Sequence, residues 1–229
     1  DEPADQARIL LLMGQLHENV SEDHESARAA YEQLRELDPE DIEALRGLQR
    51  LAERAGDTAS LAGYVAAELD LTEDVEATGS LLFRLGQLAE RQGELGEAVD
   101  HYARVLEQNP EHVGAVGALN QFLDGALASR AARVLEPYMR AHEEWSSLRR
   151  VLELQAAGSD EVEERVRLLR EVAEIREARL SDSRGAFNTF RALLADARAD
   201  EWVRDQLERL AAELGAWEEL AELYARFGL

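Results

Sequence analysis

Cysteine is absent from the 229 residues, which excludes disulfides and thiolate metal sites and leaves the redox compartment unmarked. Lysine is absent too: the 25 basic residues are all arginine, against 48 Asp and Glu, for a formal charge of −23. Such a chain repels phosphate backbones and anionic lipid, so nucleic acid and membrane surfaces are not expected partners. No apolar run reaches the roughly 18 residues of a membrane-spanning helix, and no signal peptide is recognisable. Alternating β-branched runs are missing, and Val and Ile are scarce beside Leu and Ala, which leaves helix as the period to look for.

Catalytic signatures are missing as well. His17, His24, His101, His112 and His142 form no HxxxH or HExxH pair. Glu18, Asp23 and Glu25 lie near the first two, but in so acidic a chain they read as a solvated polar face rather than a metal site. There is no GxGxxG, no phosphate-binding P-loop and no GxSxG. The pairs Glu143/Glu144 and Glu163/Glu164 read as first-turn charges that complement a helix dipole. Catalysis, metal and cofactor are therefore not expected.

The chain does contain copies of itself. Ala27, Tyr31, Pro39, Glu40, Ala44 and Leu48 recur at a step of 71 as Ala98, Tyr102, Pro110, Glu111, Ala115 and Leu119. Upstream, Leu10, Gly14, Gln15, Leu16 and Glu18 recur at a step of 72 as Leu82, Gly86, Gln87, Leu88 and Glu90, so the first copy holds one extra residue near Asp23. A repeat of this kind marks a stacked array of helices rather than a globular enzyme. Within each copy Gly14 or Gly86 admits a close neighbour, the small Ala27 or Ala98 opens a second helix, and the tyrosine follows four residues on along the same face. Asp38 with Pro39, and Asn109 with Pro110, are expected as N-cap and first helical residue of the next helix.

This order of Leu and Gly, then Ala, Tyr and Pro resembles the tetratricopeptide repeat family, best over 9–44 and 81–115, although neither copy has the family's early Trp. A third copy, at a step of 159, has its best unit at 168–200 and runs on beyond it: Ala27, Tyr31, Leu34, Leu48 and Gly56 correspond to Ala186, Phe190, Leu193, Leu207 and Gly215, with Ala173 where Gly14 stands and Arg198 where Pro39 stands. Looser helix pairs lie between, in which Leu61 corresponds to Leu148 (a step of 87) and Leu220. The change from 71 to 87 implies 16 inserted residues, one helix's worth, near 127–141. Helices are expected near 4–20, 23–37, 40–55, 58–71, 74–92, 95–108, 111–124, 127–141, 144–156, 160–180, 183–196, 200–214 and 217–227. Start signals are Asp38, Asp57, Asn109, Ser159 with Asp160, and Ser183. The break at 156–160 is too short for a flexible linker, so 1–229 reads as a single repeat domain: an all-α, right-handed solenoid of antiparallel helix pairs.

The resemblance implies that the first helix of each pair lines a concave groove at its second, fifth, ninth and twelfth positions. These are Arg8, Leu11, Gln15 and Glu18, then Ser80, Phe83, Gln87 and Glu90, then Arg167, Arg170, Glu174 and Glu177. Phe83 could anchor a ligand, with Gln15 and Gln87 reading its backbone; ordinary groove lining is the alternative. With no lysine, and Leu, Gln, Phe and Glu at these positions, the carboxylate clamp of some family members is excluded. Glu171, Glu174 and Glu177 are expected to offset Arg167 and Arg170 by i,i+4 pairing. Tyr31, Tyr102 and Phe190 read as core, and Trp145, Trp202 and Trp217 as plugs that pin helix starts.

The expected function is that of a bacterial, cytoplasmic interaction scaffold that binds a peptide or helix of another protein in the groove. The acidity favours a basic partner, or it is simply the habit of an acidic, lysine-poor proteome. The first helix is apolar nearly all round (Ile9, Leu10, Leu11, Leu12, Met13, Leu16), and the last carries Leu220, Leu223, Tyr224, Phe227 and Leu229. Since a solenoid's end helices are normally polar outside, the alternative is a spacer within a longer array, or a homo-oligomer assembled end to end.

Overall fold

Aspartate at helix starts and a left-handed residue at helix ends cut this chain into its elements. The computed structural model describes residues 2–197 and 200–228, and among them every regular element is helical. Contacts between elements divide the chain into two compact units, 1–115 and 116–229. The first contains α1 (Glu2–Leu16), α2 (His24–Leu37), α3 (Ile42–Ala55), α4 (Thr58–Asp70), α5 (Val75–Gln92) and α6 (Leu95–Gln108). The boundary falls within α7 (Val113–Gln121), and the second unit continues through α8 (Ala128–Ala141), α9 (Trp145–Ala157), α10 (Val162–Ala178), α11 (Ser183–Leu193), α12 (Glu201–Leu214) and α13 (Trp217–Phe227).

Asp23, Asp41, Asp57, Asp74, Asp182 and Asp200 each accept a backbone N–H of the following first turn. Such a cap is worth about 1 kcal/mol. Of the five expected start signals only Asp57 caps a helix as expected; α10 begins at Val162 after Glu161, not at Ser159 with Asp160. Asp38 ends α2 and Asn109 ends α6, and the next helices begin only at Ile42 and Val113. The reason is the proline that follows each: the ring disfavours helical backbone in the preceding residue, and Asp38 sits extended at φ −136°. Asp38 and Asn109 instead accept the N–H two residues on, from Glu40 and Glu111, as Asx turns. The cap of α11 is likewise Asp182 rather than Ser183, which is its first helical residue.

The helix ends keep the repeat more faithfully than the residue types do. Glu22, Gly93 and Ser181, related by the steps of 71 and 159, all take positive φ (53°, 81° and 54°). Gly56, Glu143 and Gly215, related by 87 and 159, do the same (70°, 54° and 67°). Each turns its helix back by exposing the amide that closes the last carbonyls. The extra residue of the first copy lies in a π-turn at His17–Ser21 that follows α1. A turn bonded i to i+5 takes up one residue without rotating the helix before it. The face of Leu10 and Gly14 therefore stays aimed at α2.

That face receives an aromatic ring. Tyr31 is fully buried, and a Cβ added to Gly14 would lie 2.4 Å from one edge of its ring, one added to Gly47 2.5 Å from the other. Tyr102 rests on Gly86 at the same 2.4 Å. In the third copy Ala173 and Phe190 take these places inside the core of α10–α13. The core of the first three helices gathers Leu10, Ala27, Tyr31, Leu34, Ala44, Leu48 and Leu51. Each ring so buried contributes about 2–3 kcal/mol of apolar transfer.

Candidate functional site

The first helices of successive pairs are laced together by charge. In the first unit the carboxylate of Glu18, in the π-turn that follows α1, is 2 % exposed and accepts a bidentate pair from Arg50 of α3: Nε at 2.8 Å and Nη2 at 2.8 Å. Arg54 stands 3.3 Å from the same carboxylate, and the Tyr31 hydroxyl donates to it at 2.9 Å. The Arg50 bonds hold the Glu18 carboxyl below its usual range, against the opposing effect of burial. Burial first, then the bond to Glu18, pushes the Tyr31 phenol up to about 12. One helix on, Arg84 of α5 donates to Gln49 (2.9 Å) and Glu53 (3.2 Å) of α3. Gln49 and Arg46 in turn bond the buried Glu68 of α4, at 2.7 and 2.9 Å. The α1–α3–α5 face is thus held by charge-assisted bonds, each of which fixes direction as well as distance.

Glu18 is therefore not open to a ligand, contrary to its expected place in the groove. Its carboxylate is buried because three donors of its own chain surround it. Leu11, also expected in the groove, is half-buried against the first core cluster. Gln15 is half-buried and Gln87 exposed. Phe83 is half-buried, its ring centroid 5.5 Å from that of Tyr102 and 4.9 Å from that of His112, with Gly114 leaving room for it. Glu90 accepts the Tyr102 hydroxyl at 2.5 Å, and burial pushes that phenol well above its usual range. Gln87, Glu90 and Arg91 line a shallow hollow of about 330 Å³.

The second unit repeats the lacing with other residues. Arg140 of α8 reaches Glu171 of α10 at 2.5 Å, and Arg209 of α12 grips Glu177 of α10 through two bonds of 2.7 Å. Arg170 pairs with Asp200, the cap of α12, and lies 4.9 Å over the ring of Trp202. Arg167 is exposed and pairs with Glu164 at 2.7 Å, and Glu174 is exposed. Within α10 Arg167 pairs three residues back with Glu164, whereas Glu171 and Glu177, expected to pair i,i+4, bond Arg140 of α8 and Arg209 of α12. Two of the expected plugs are tied to cations, Trp145 beneath Arg179 at 4.6 Å and Trp202 beneath Arg170, and Trp202 also meets Phe190 edge-on. Trp217 is 54 % exposed.

Sequence reasoning missed the arginines. Arg50 and Arg54, which hold Glu18, were not singled out, yet the signal was present: the step of 159 that carries Glu18 to Glu177 also carries Arg50 to Arg209. Among the described residues no three His, Cys, Asp or Glu side chains are placed to hold a metal ion, and no helix is long and apolar enough to cross a membrane.

Comparison with known proteins agrees with this repeat frame. Family models described as tetratricopeptide repeat match residues 8–41 and 79–112. No curated protein matches the chain. Solved structures that align with it include the MamA protein, at 16 % identity over 85 % of this chain and 93 % of that one, with a TM-score of 0.39. The tetratricopeptide domain of P58(IPK) aligns at 14 % identity over 93 % of this chain and 67 % of that one, TM-score 0.43. A tetratricopeptide repeat protein from Parabacteroides merdae aligns at 15 % over 90 % and 99 %, TM-score 0.39.

Proposed function

We propose that this chain, a tetratricopeptide-like repeat protein, is an interaction scaffold that binds an extended or helical segment of a partner protein along its first helices. The whole of 1–229 serves as one repeat domain, and the units 9–44, 81–115 and 168–200 each supply one such helix: α1, α5 and α10. The observation that carries this reading is the half-buried Phe83 beside the exposed Gln87 on a helix fixed by Arg84. An aromatic side chain with one face packed and an amide next to it suits a peptide: the ring supplies area, the amide reads the backbone, and a preordered receptor loses little entropy. Within the first unit Leu11 and Gln15 offer the same pair on α1; in the second unit Arg167 and Glu174 are the exposed charges of α10, Arg170 being held by Asp200. The excess of carboxylates over arginines favours a basic segment.

The test is photo-cross-linking in the source cells from a benzoyl-phenylalanine placed at Gln87, with Glu97 on α6 as control. The reading expects one protein captured from position 87 and not from 97, and Phe83→Ala to weaken its affinity at least tenfold, about 1.4 kcal/mol or more. Equal capture from both positions, or full affinity in a folded Phe83→Ala variant, would refute it.

A second reading, end-to-end self-assembly, is favoured by α1. Ile9, Leu12, Met13 and Leu16 are 44–56 % exposed. The residues that correspond to Met13 and Leu16 are Leu85 and Leu88 on α5, buried beneath Leu61 and Val65 of α4, and Val172 and Ile175 on α10, buried where α9 packs. An exposed apolar stripe of this kind is a surface that another helix can cover. Self-assembly predicts a mass that rises with concentration and a Met13→Glu/Leu16→Glu variant that stays monomeric; a constant monomer mass in the wild type excludes it.

A further inference from the structure

The three repeat copies place a glutamate at the same point of the first helix, and in two of them the chain fills it with its own arginine. Glu18 is gripped bidentately by Arg50, and Glu177 bidentately by Arg209, at 2.7–2.8 Å in all four bonds. Arg50 and Arg209 are the same repeat position, 159 residues apart. In the middle copy that position, 71 residues beyond Arg50, is Gln121, and the position of Arg54 is Gly125. Neither can supply a cation. The helix that would carry them is also cut short: α7 ends at Gln121 after nine residues, where α3 and α12 each run to 14.

Glu90 keeps the tyrosine half of the arrangement and lacks the arginine half. Its bond from Tyr102 fixes one carboxylate oxygen, as Tyr31 fixes one on Glu18. Glu90 also lines the hollow shared with Gln87 and Arg91, and the bond from Tyr102 brings it no cation. Phe83 lies two turns back along the same helix, with its ring half-buried.

We propose that Glu90 is the receptor for an arginine side chain of the bound partner segment, which supplies in trans the guanidinium that Arg50 and Arg209 supply in cis. The carboxylate accepts the two parallel N–H bonds of the fork, Gln87 orients the adjoining backbone, and Phe83 takes an apolar side chain of the same segment. Arginine is specified over lysine because the two filled copies are both planar, two-point contacts, which an ammonium cannot reproduce. This assignment rests on the groove reading above and names the chemistry of its ligand.

The experiment is an array of hexapeptides that combine one arginine with Leu, Phe or Tyr at every spacing, each synthesised with lysine and citrulline twins. Wild-type protein is expected to select arginine members about tenfold over their citrulline twins, the worth of one charge-assisted pair at a partly desolvated carboxylate. Lysine twins should fall between. E90Q keeps an oxygen for the Tyr102 hydroxyl, should melt as the wild type does, and should bind arginine and citrulline members alike. Binding without an arginine preference, or a preference that survives in E90Q, overturns the assignment and leaves the groove reading in place. Binding of no array member by the wild type overturns both.

Discussion

Placing a methyl group on Gly14 sets two effects against each other, and the structure decides which wins. Alanine is the better helix former by about 1 kcal/mol. The added Cβ, however, would lie 2.4, 2.6 and 2.8 Å from three atoms of the Tyr31 ring, where carbon atoms need about 3.5–4 Å. The ring has nowhere to go. Gly47 presses its other edge, with an added Cβ there only 2.5 Å away, and Glu18 holds its hydroxyl. Overpacking of a closed site costs about 1–3 kcal/mol; with both edges confined the upper end applies, and Gly14→Ala should lose about 2 kcal/mol net. Gly63 in α4 is the control, since nothing lies within 4 Å of its added Cβ. Gly63→Ala should therefore stabilise by about 0.5–1 kcal/mol. The same substitution is thus expected to lower the melting midpoint by about 4–8 °C at one glycine and raise it slightly at the other. Far-UV circular dichroism during heating and urea titration measures both. A Gly14→Ala variant as stable as the wild type would falsify the account of the ring as a fixed wedge. Adding Tyr31→Phe releases the hydroxyl and should recover part of the loss, approaching the Ala173 and Phe190 pair of the third copy.

Two further perturbations test the turns and the buried pair. Glu22→Gly and Ser181→Gly each remove a side chain from a left-handed residue, as Gly93 does naturally, and should stabilise by about 1 kcal/mol apiece in urea titration. The bonds from Arg50 hold the folded Glu18 carboxyl below its ordinary value, so it contributes stability above the unfolded value and the contribution is lost as pH falls through the folded one. Glu18→Gln should flatten the fall in melting midpoint below about pH 4.5, an effect read by acid titration and refuted by parallel curves. Arg50→Met takes the bidentate pair from a buried carboxylate that keeps only Arg54 and Tyr31; it should cost about 1–3 kcal/mol and move acid unfolding to higher pH.

What could be read from the chain alone was whatever depends on neighbours in sequence. Thirteen helices were expected and the described residues form thirteen α-helices, because apolar spacing, aspartate caps and small residues act within one or two turns. The extra residue near Asp23 was visible as a shift from 72 to 71, and the π-turn at His17–Ser21 is its local consequence. The prolines misled for a local reason too: Pro39 and Pro110 constrain the residue before them, so they close a turn rather than open a helix. Tyr31 and Tyr102 were legible as core because their repeat position sets them four residues from a small alanine.

The charge network was decided elsewhere. With 48 carboxylates and 25 arginines, pattern alone gives each acid several partners, and the expected i,i+4 pairing on α10 was the nearest of them in sequence. The folded chain chose partners 31 or 32 residues away: Glu18 with Arg50, Glu171 with Arg140, Glu177 with Arg209. Those distances close only when one first helix packs beside the next, and burial then makes a two-point guanidinium contact worth more than an exposed pair along one helix. The sequence by itself determined the helices and the positions that face inward. Only the tertiary structure decided which carboxylates the protein keeps for itself, since that depends on which helices lie side by side.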